Sequence, residues 1–206
     1  MHYWRKDYFD LLKEVAAEAV EHPHGNDFAN YCFHSERGLR RDAFTYLSNF
    51  IREMERAPFQ ERRCFVSWLL TKTYGCKDQV LLIAHPLKLR IIEPTLLEWT
   101  VVEPDCSEPH RWLGGFEHLQ TALALDSEDR IARRKLIVAI LSDVGFSTHE
   151  LPSGYIGSPQ EDLLALTEAE ALVNDSPNAE DRVLFATEIA DERKLIESYL
   201  RKTMGN

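Results

Sequence analysis

What this chain lacks narrows the reading first. No apolar run approaches the roughly 18 residues needed to cross a bilayer. The opening Met1-His2-Tyr3-Trp4-Arg5-Lys6-Asp7 carries charge with no apolar stretch behind it, so neither a signal peptide nor a membrane partner is expected. Cysteine is sparse: Cys32, Cys64, Cys76 and Cys106 are scattered without a CxxC pair. A chain of 206 residues has length enough to build a core without disulfides, which gives the expectation of a reducing, cytoplasmic setting. Catalytic signatures are missing as well. There is no GxSxG, no phosphate-binding glycine loop and no helix carrying paired carboxylates, so no catalytic residue and no cofactor is assigned.

What is present is an ordinary globular composition, 44% apolar and 28% charged, with an uneven charge. The net charge is −10. Residues 1–103 hold 14 Lys/Arg against 15 Asp/Glu, and residues 104–206 hold 10 against 19. The excess therefore sits in the second half. Phosphates would be repelled there, which argues against a nucleic-acid partner and permits a basic protein partner. The plain alternative is a solvated acidic surface.

Hydrophobic spacing predicts helices throughout. Trp4, Tyr8, Leu11, Val15 and Ala19 form a stripe that His22-Pro23-His24-Gly25 stops. A loop is expected to Ser35, an N-cap for a helix over 36–56 that buries Leu39, Phe44, Leu47 and Ile51. Pro58 opens another helix, which carries Cys64 on an apolar, buried face and ends at Gly75. Residues 78–105, cut by Pro86, Pro94 and Pro104, read as short helices, although Val80–Ala84 is equally a buried strand by periodicity. The stretch 109–144 reads as two helices around which the rest is organised. Trp112, Phe116, Leu119 and Leu123 share a face of the first; Asp126 caps the second from about Ser127, and its middle, Leu136–Leu141, is apolar all round. Gly145 ends it, and a loop from Phe146 to Gly157 follows. Ser158-Pro159-Gln160-Glu161 then combines a serine cap, a proline at the first position and a glutamate three residues after the cap. The last helix, from about Asn178 to Lys202, has a stripe that Glu192 interrupts. The expected fold is all-α, antiparallel helix hairpins packed as a bundle or short repeat array, within one domain (1–206) that divides, if at all, into 1–103 and 104–206.

Ala122-Leu123-Ala124-Leu125-Asp126-Ser127 is similar to the close of a tetratricopeptide repeat, and Trp99 stands where such a repeat places its early tryptophan. The resemblance covers residues 99–132, with Ser127 in place of the family's proline and no second 34-residue period. It implies a helix-hairpin scaffold that binds peptides or protein surfaces without catalysis.

Several residues carry chemistry of interest. His22, His24, Cys32 and His34 are four zinc-compatible donors within thirteen residues, but their spacing matches no finger, and no metal is assigned. His110 and His118 share one predicted helix, roughly 12 Å apart along its axis, too far to hold one ion. His149-Glu150 opens like HExxH, but Ser153 stands where the second histidine must be. Arg130, Arg133, Arg134 and Lys135 are expected to pair within their helix with Asp126, Glu128 and Asp129.

Two function classes follow. The first is a non-enzymatic module binding another protein through Glu161, Asp162, Glu188, Asp191 and Glu192, a toxin-neutralising immunity-type protein being one case. The second is an enzyme or small-ligand binder that uses His149, Glu150 and Tyr155 on the long loop.

Overall fold

A computed structural model describes residues 6–76 and 82–204. Trp4, the Tyr8 side chain, Val80 and Leu81 lie outside the described residues. The fold is all-α, with no strand among the described residues. The chain forms two compact units, 1–104 and 105–206.

In the first unit, α1 (Lys6–Ala19), α2 (Gly25–Glu36), α3 (Arg40–Met54) and α4 (Phe59–Thr73) follow one another. The expected loop before Ser35 is the helix α2. Phe28, Tyr31 and Cys32, at steps of three and one, lie on one face and are buried. The turn into it is only a few residues long. His24 takes a left-handed φ of 60°, and Gly25 sits so close to the end of α1 that a Cβ would lie 1.7 Å from the Ala19 carbonyl oxygen. The helix expected after Ser35 is α3, which starts at Arg40. The cap of α3 is Leu39, which is exposed rather than buried. Three rings close the core, with centroids of Phe28, Phe50 and Phe65 separated by 4.7 to 5.1 Å. Cys64 is exposed and Cys32 is the buried thiol, held well above the ordinary cysteine range by burial.

Beyond α4, a short turn α5 (His85–Leu87) runs into a π-helix over Lys88–Ile92 and then into α6 (Glu93–Val102). Pro94 does not break this run. A proline inside a helix lacks the ladder N–H and crowds the carbonyl four residues back; a wide turn just before it accommodates both. The Glu93 N–H reaches the Lys88 carbonyl, five residues back. The run is tied to α4 by Arg62, which donates to Glu98 at 2.7 Å, and by Arg63, which pairs with Glu103.

The second unit holds α7 (Ser107–Leu113), α8 (Phe116–Leu125), α9 (Arg130–Thr148), α10 (Pro159–Asn174) and α11 (Ala179–Met204). The two helices expected over 109–144 are three. Gly114 and Gly115, at φ 71° and 74° with extended ψ, occupy a region that only glycine enters without strain, and the chain folds back there. Trp112 and Phe116 thus belong to different helices. The span likened to a tetratricopeptide repeat is accordingly no helix pair, since it crosses from the first unit into the second and touches four helices, α6 to α9. α9 packs on α8, α10 and α11, with Leu136, Ile137, Ile140 and Val144 buried and Val138 exposed.

The start of α9 is set by polar groups. Its cap is Asp129, not Asp126: Asp129 Oδ1 accepts from the N–H groups of Ile131 (3.1 Å) and Ala132 (2.9 Å) and pairs with Arg111 at 3.3 Å. The basic residues expected to pair within α9 reach across to other segments. Arg133 donates to the carbonyls of Ser127 and Asp175, Arg134 pairs with Asp181 on α11, and Lys135 donates to the Arg111 carbonyl at 2.9 Å.

Gly25→Ala should lower stability by about 3 kcal/mol or more, at the upper end of overpacking costs, because the added carbon meets backbone that cannot step aside. Thermal denaturation of the variant beside wild type checks this; a loss under about 1 kcal/mol would mean that the α1–α2 corner is looser than described.

Candidate functional site

The long connection proposed to carry function is shorter than expected. Gly145 does not end α9, which continues to Thr148, so the loop covers 149–158. At its start His149 and Glu150 are both exposed. They pair with each other at 3.1 Å, and His149 Nδ1 contacts the Phe146 carbonyl. At its end Ser158 caps α10 by accepting from the Glu161 N–H at 3.3 Å.

Between them, Tyr155 folds back onto the helices. Its ring stacks on Tyr199 of α11 at 5.4 Å, and its hydroxyl donates to Asp162 of α10 at 2.6 Å. Glu192, which breaks the apolar stripe of α11, accepts from Thr148 at the end of α9 at 2.9 Å. The interruption in the sequence therefore has a structural partner. Burial, the bond to Asp162 and the charges of Asp162 and Glu192 together hold the Tyr155 phenol far above its ordinary pKa. The group is a permanent donor, unsuited to act as a base near neutral pH. Of the residues singled out by sequence, the structure thus gathers Tyr155 and Asp162 with Glu192 beside them, and leaves His149 and Glu150 as a separate exposed pair.

The acidic residues divide in the same way. Asp162 and Glu192 are engaged by Tyr155 and Thr148, while Glu170 pairs with Arg193 at 2.9 Å and Glu168 accepts from Gln120 at 3.3 Å. Glu161, Glu188 and Asp191 are exposed. On α11, Leu184, Glu188, Asp191 and Leu195 recur at steps of four, three and four, which makes one stripe. The two leucines are 46% and 47% exposed. On α10, Glu161, Leu164 and Glu168 form a similar row, with Leu164 72% exposed. The alternation of leucine and carboxylate on these exposed rows is the signal that a count of charge alone does not give.

The four zinc-compatible donors near the start of the chain are dispersed. His22 packs on Trp68 at 4.4 Å, His34 stacks on Tyr46 at 5.0 Å, His24 lies 3.8 Å from Glu61, and Cys32 is buried in the core. His110 and His118 show the reverse. The glycine corner places them on two helices, and their Nδ1 atoms are 3.0 Å apart. The distance expected along a single helix does not apply. Burial and the neighbouring His118 lower the pKa of His110.

On α9, Lys135 lies 4.6 Å from the centre of the Trp112 ring. Burial, reinforced by the charge of Arg111 and opposed by Asp129, lowers its pKa to about 8. Comparison of the chain with protein-family models, curated proteins and solved structures finds no match. The functional reading rests on these arrangements.

Replacing Tyr155 by Phe removes a hydrogen bond to a charged acceptor and should cost about 1–2 kcal/mol, seen as a lower denaturant midpoint at an unchanged slope. Lys135 gives a pH signature. Between about 8 and 10.5 the unfolded chain holds the proton that the folded chain has released, so stability rises with pH across that window. Urea titrations at pH 8 and pH 10 should show this contribution in wild type and not in Lys135→Met; parallel behaviour of the two proteins would refute it.

Proposed function

We propose that the protein is a non-enzymatic binding module whose second unit engages a basic protein partner through the exposed leucine–carboxylate rows of α10 and α11. The observation that carries this reading is the α11 stripe, in which Glu188 and Asp191 lie between two half-exposed leucines. Carboxylates steer a cationic partner toward the surface, and the flanking leucines offer apolar area that holds it after contact. Such a surface suits a segment with Lys or Arg set around apolar side chains. No helix among the described residues is long and apolar enough to cross a membrane, which suits a partner met in water. A cytoplasmic protein that neutralises a basic toxin, as bacterial immunity proteins do, is one concrete form of the proposal.

The test separates steering from apolar hold. A triple reversal, Glu161→Lys, Glu188→Lys and Asp191→Lys, leaves the carboxylates engaged by Tyr155 and Thr148 untouched. Partners captured from the native cell, together with a lysine-rich amphipathic helical peptide as a defined probe, are measured against wild type and variant at 0.1 M and 1 M salt. The screening length falls from about 10 Å to about 3 Å between these conditions. Reversal should weaken binding by tenfold or more at low salt and far less at high salt. An unchanged partner set with unchanged salt dependence would reduce the acidic surface to a solubility role.

A further inference from the structure

The α7–α8 corner brings together two side chains that the acidic surface does not use. We propose that His110 and His118 form a two-imidazole site for a divalent late-transition cation, with zinc as the natural probe. The two Nδ1 atoms lie 3.0 Å apart, with ring centroids at 5.2 Å. Two nitrogens bound to one tetrahedral zinc at 2.0–2.1 Å are about 3.3 Å apart, so the rings must part by a few tenths of an ångström and turn from facing each other to converge on the ion. Both side chains are half-buried, within reach of solvent and yet held.

What holds them is built into the unit. His118 follows a glycine corner and stands one residue before Leu119, which is buried in the core with Ala122. His110 stands between the core-facing Pro109 and Arg111, which is fixed twice: its guanidinium pairs with Asp129 and its carbonyl accepts from Lys135. The backbone that carries the two rings is therefore fixed before any ion arrives, which leaves only ring rotation to be done on binding. Imidazole nitrogen selects zinc, copper or nickel, whereas magnesium and calcium require oxygen donors. No third His, Cys, Asp or Glu joins the two rings among the described residues. Two tetrahedral positions are thus left to water or to a donor arriving with another molecule.

The alternative for the same geometry is a bare N–H···N hydrogen bond. His118→Gln separates the two, because the amide oxygen accepts a proton from His110 while the variant offers one imidazole fewer. The full chain is titrated with zinc by calorimetry, with magnesium as control, and the imidazole nitrogens of wild type are followed by 15N NMR. The expected result is one zinc per chain, Nδ1 resonances of both histidines shifted on saturation, and affinity at least tenfold weaker in His110→Gln and His118→Gln. Absence of saturable zinc binding, or binding whose stoichiometry and affinity survive both substitutions, overturns the proposal. Should a variant fail to fold, the wild-type resonances decide it: unshifted Nδ1 signals at saturating zinc refute the site.

Discussion

The second unit depends on a carboxylate whose side chain is fully shielded from water, at the head of α9. Asp129 ends the helix ladder by accepting two backbone N–H groups, and the same oxygen holds Arg111. Its other oxygen, together with Arg111 Nε, is buried without a protein partner. A buried charge is tolerable only when paired and bonded. Here the pairing also decides where α7 goes, because Arg111 cannot reach Asp129 unless α7 lies against the start of α9. Lys135, one turn into α9, then closes on the Arg111 carbonyl and on the Trp112 ring. One anion thus fixes a helix start, the placement of a second helix and the environment of a lysine.

The glycine pair at 114–115 works in the opposite manner, through freedom in place of attraction. Neither residue would meet an obstacle if it carried a Cβ. Their value lies in a backbone conformation that other residues adopt only under strain. That conformation turns α8 back on α7 and converts an eight-residue separation into a contact. The polar anchor and the permissive corner act together: one sets α7, the other returns the chain to it.

How legible this was in the sequence follows from the range of each signal. Local, short-range chemistry was readable. The Ser158-Pro159 start stands as expected, and the buried face of α11 follows from spacing, whereas the middle of α9, apolar all round in sequence, leaves Val138 exposed. The misreadings have one physical origin, which is that the deciding partner lies far away in sequence. Asp126 and Asp129 are equally good caps on paper, and Arg111 selects between them. The basic run at 130–135 has acidic neighbours in sequence, yet Arg134 finds Asp181, and Arg133 finds two carbonyls. His110 and His118 looked distant because a glycine pair was read through as helix. At the candidate site, the Tyr155–Asp162 bond was within reach of reasoning, since the two residues are seven apart across a capped helix start. The Thr148–Glu192 bond was not, because only the packing of α9 on α11 brings its two members together.

The wide turn at Lys88–Ile92 decides which faces this helix buries. A π-turn holds one residue more than an α-turn. The extra residue rotates everything before it by about 100° relative to everything after it. Leu87 and Leu96, both buried, keep their places on opposite sides of that rotation. With one residue removed from this turn, the ladder before Pro94 would close to ordinary width and crowd the ring. The wide turn and the proline form one unit, because losing the first would strain the second.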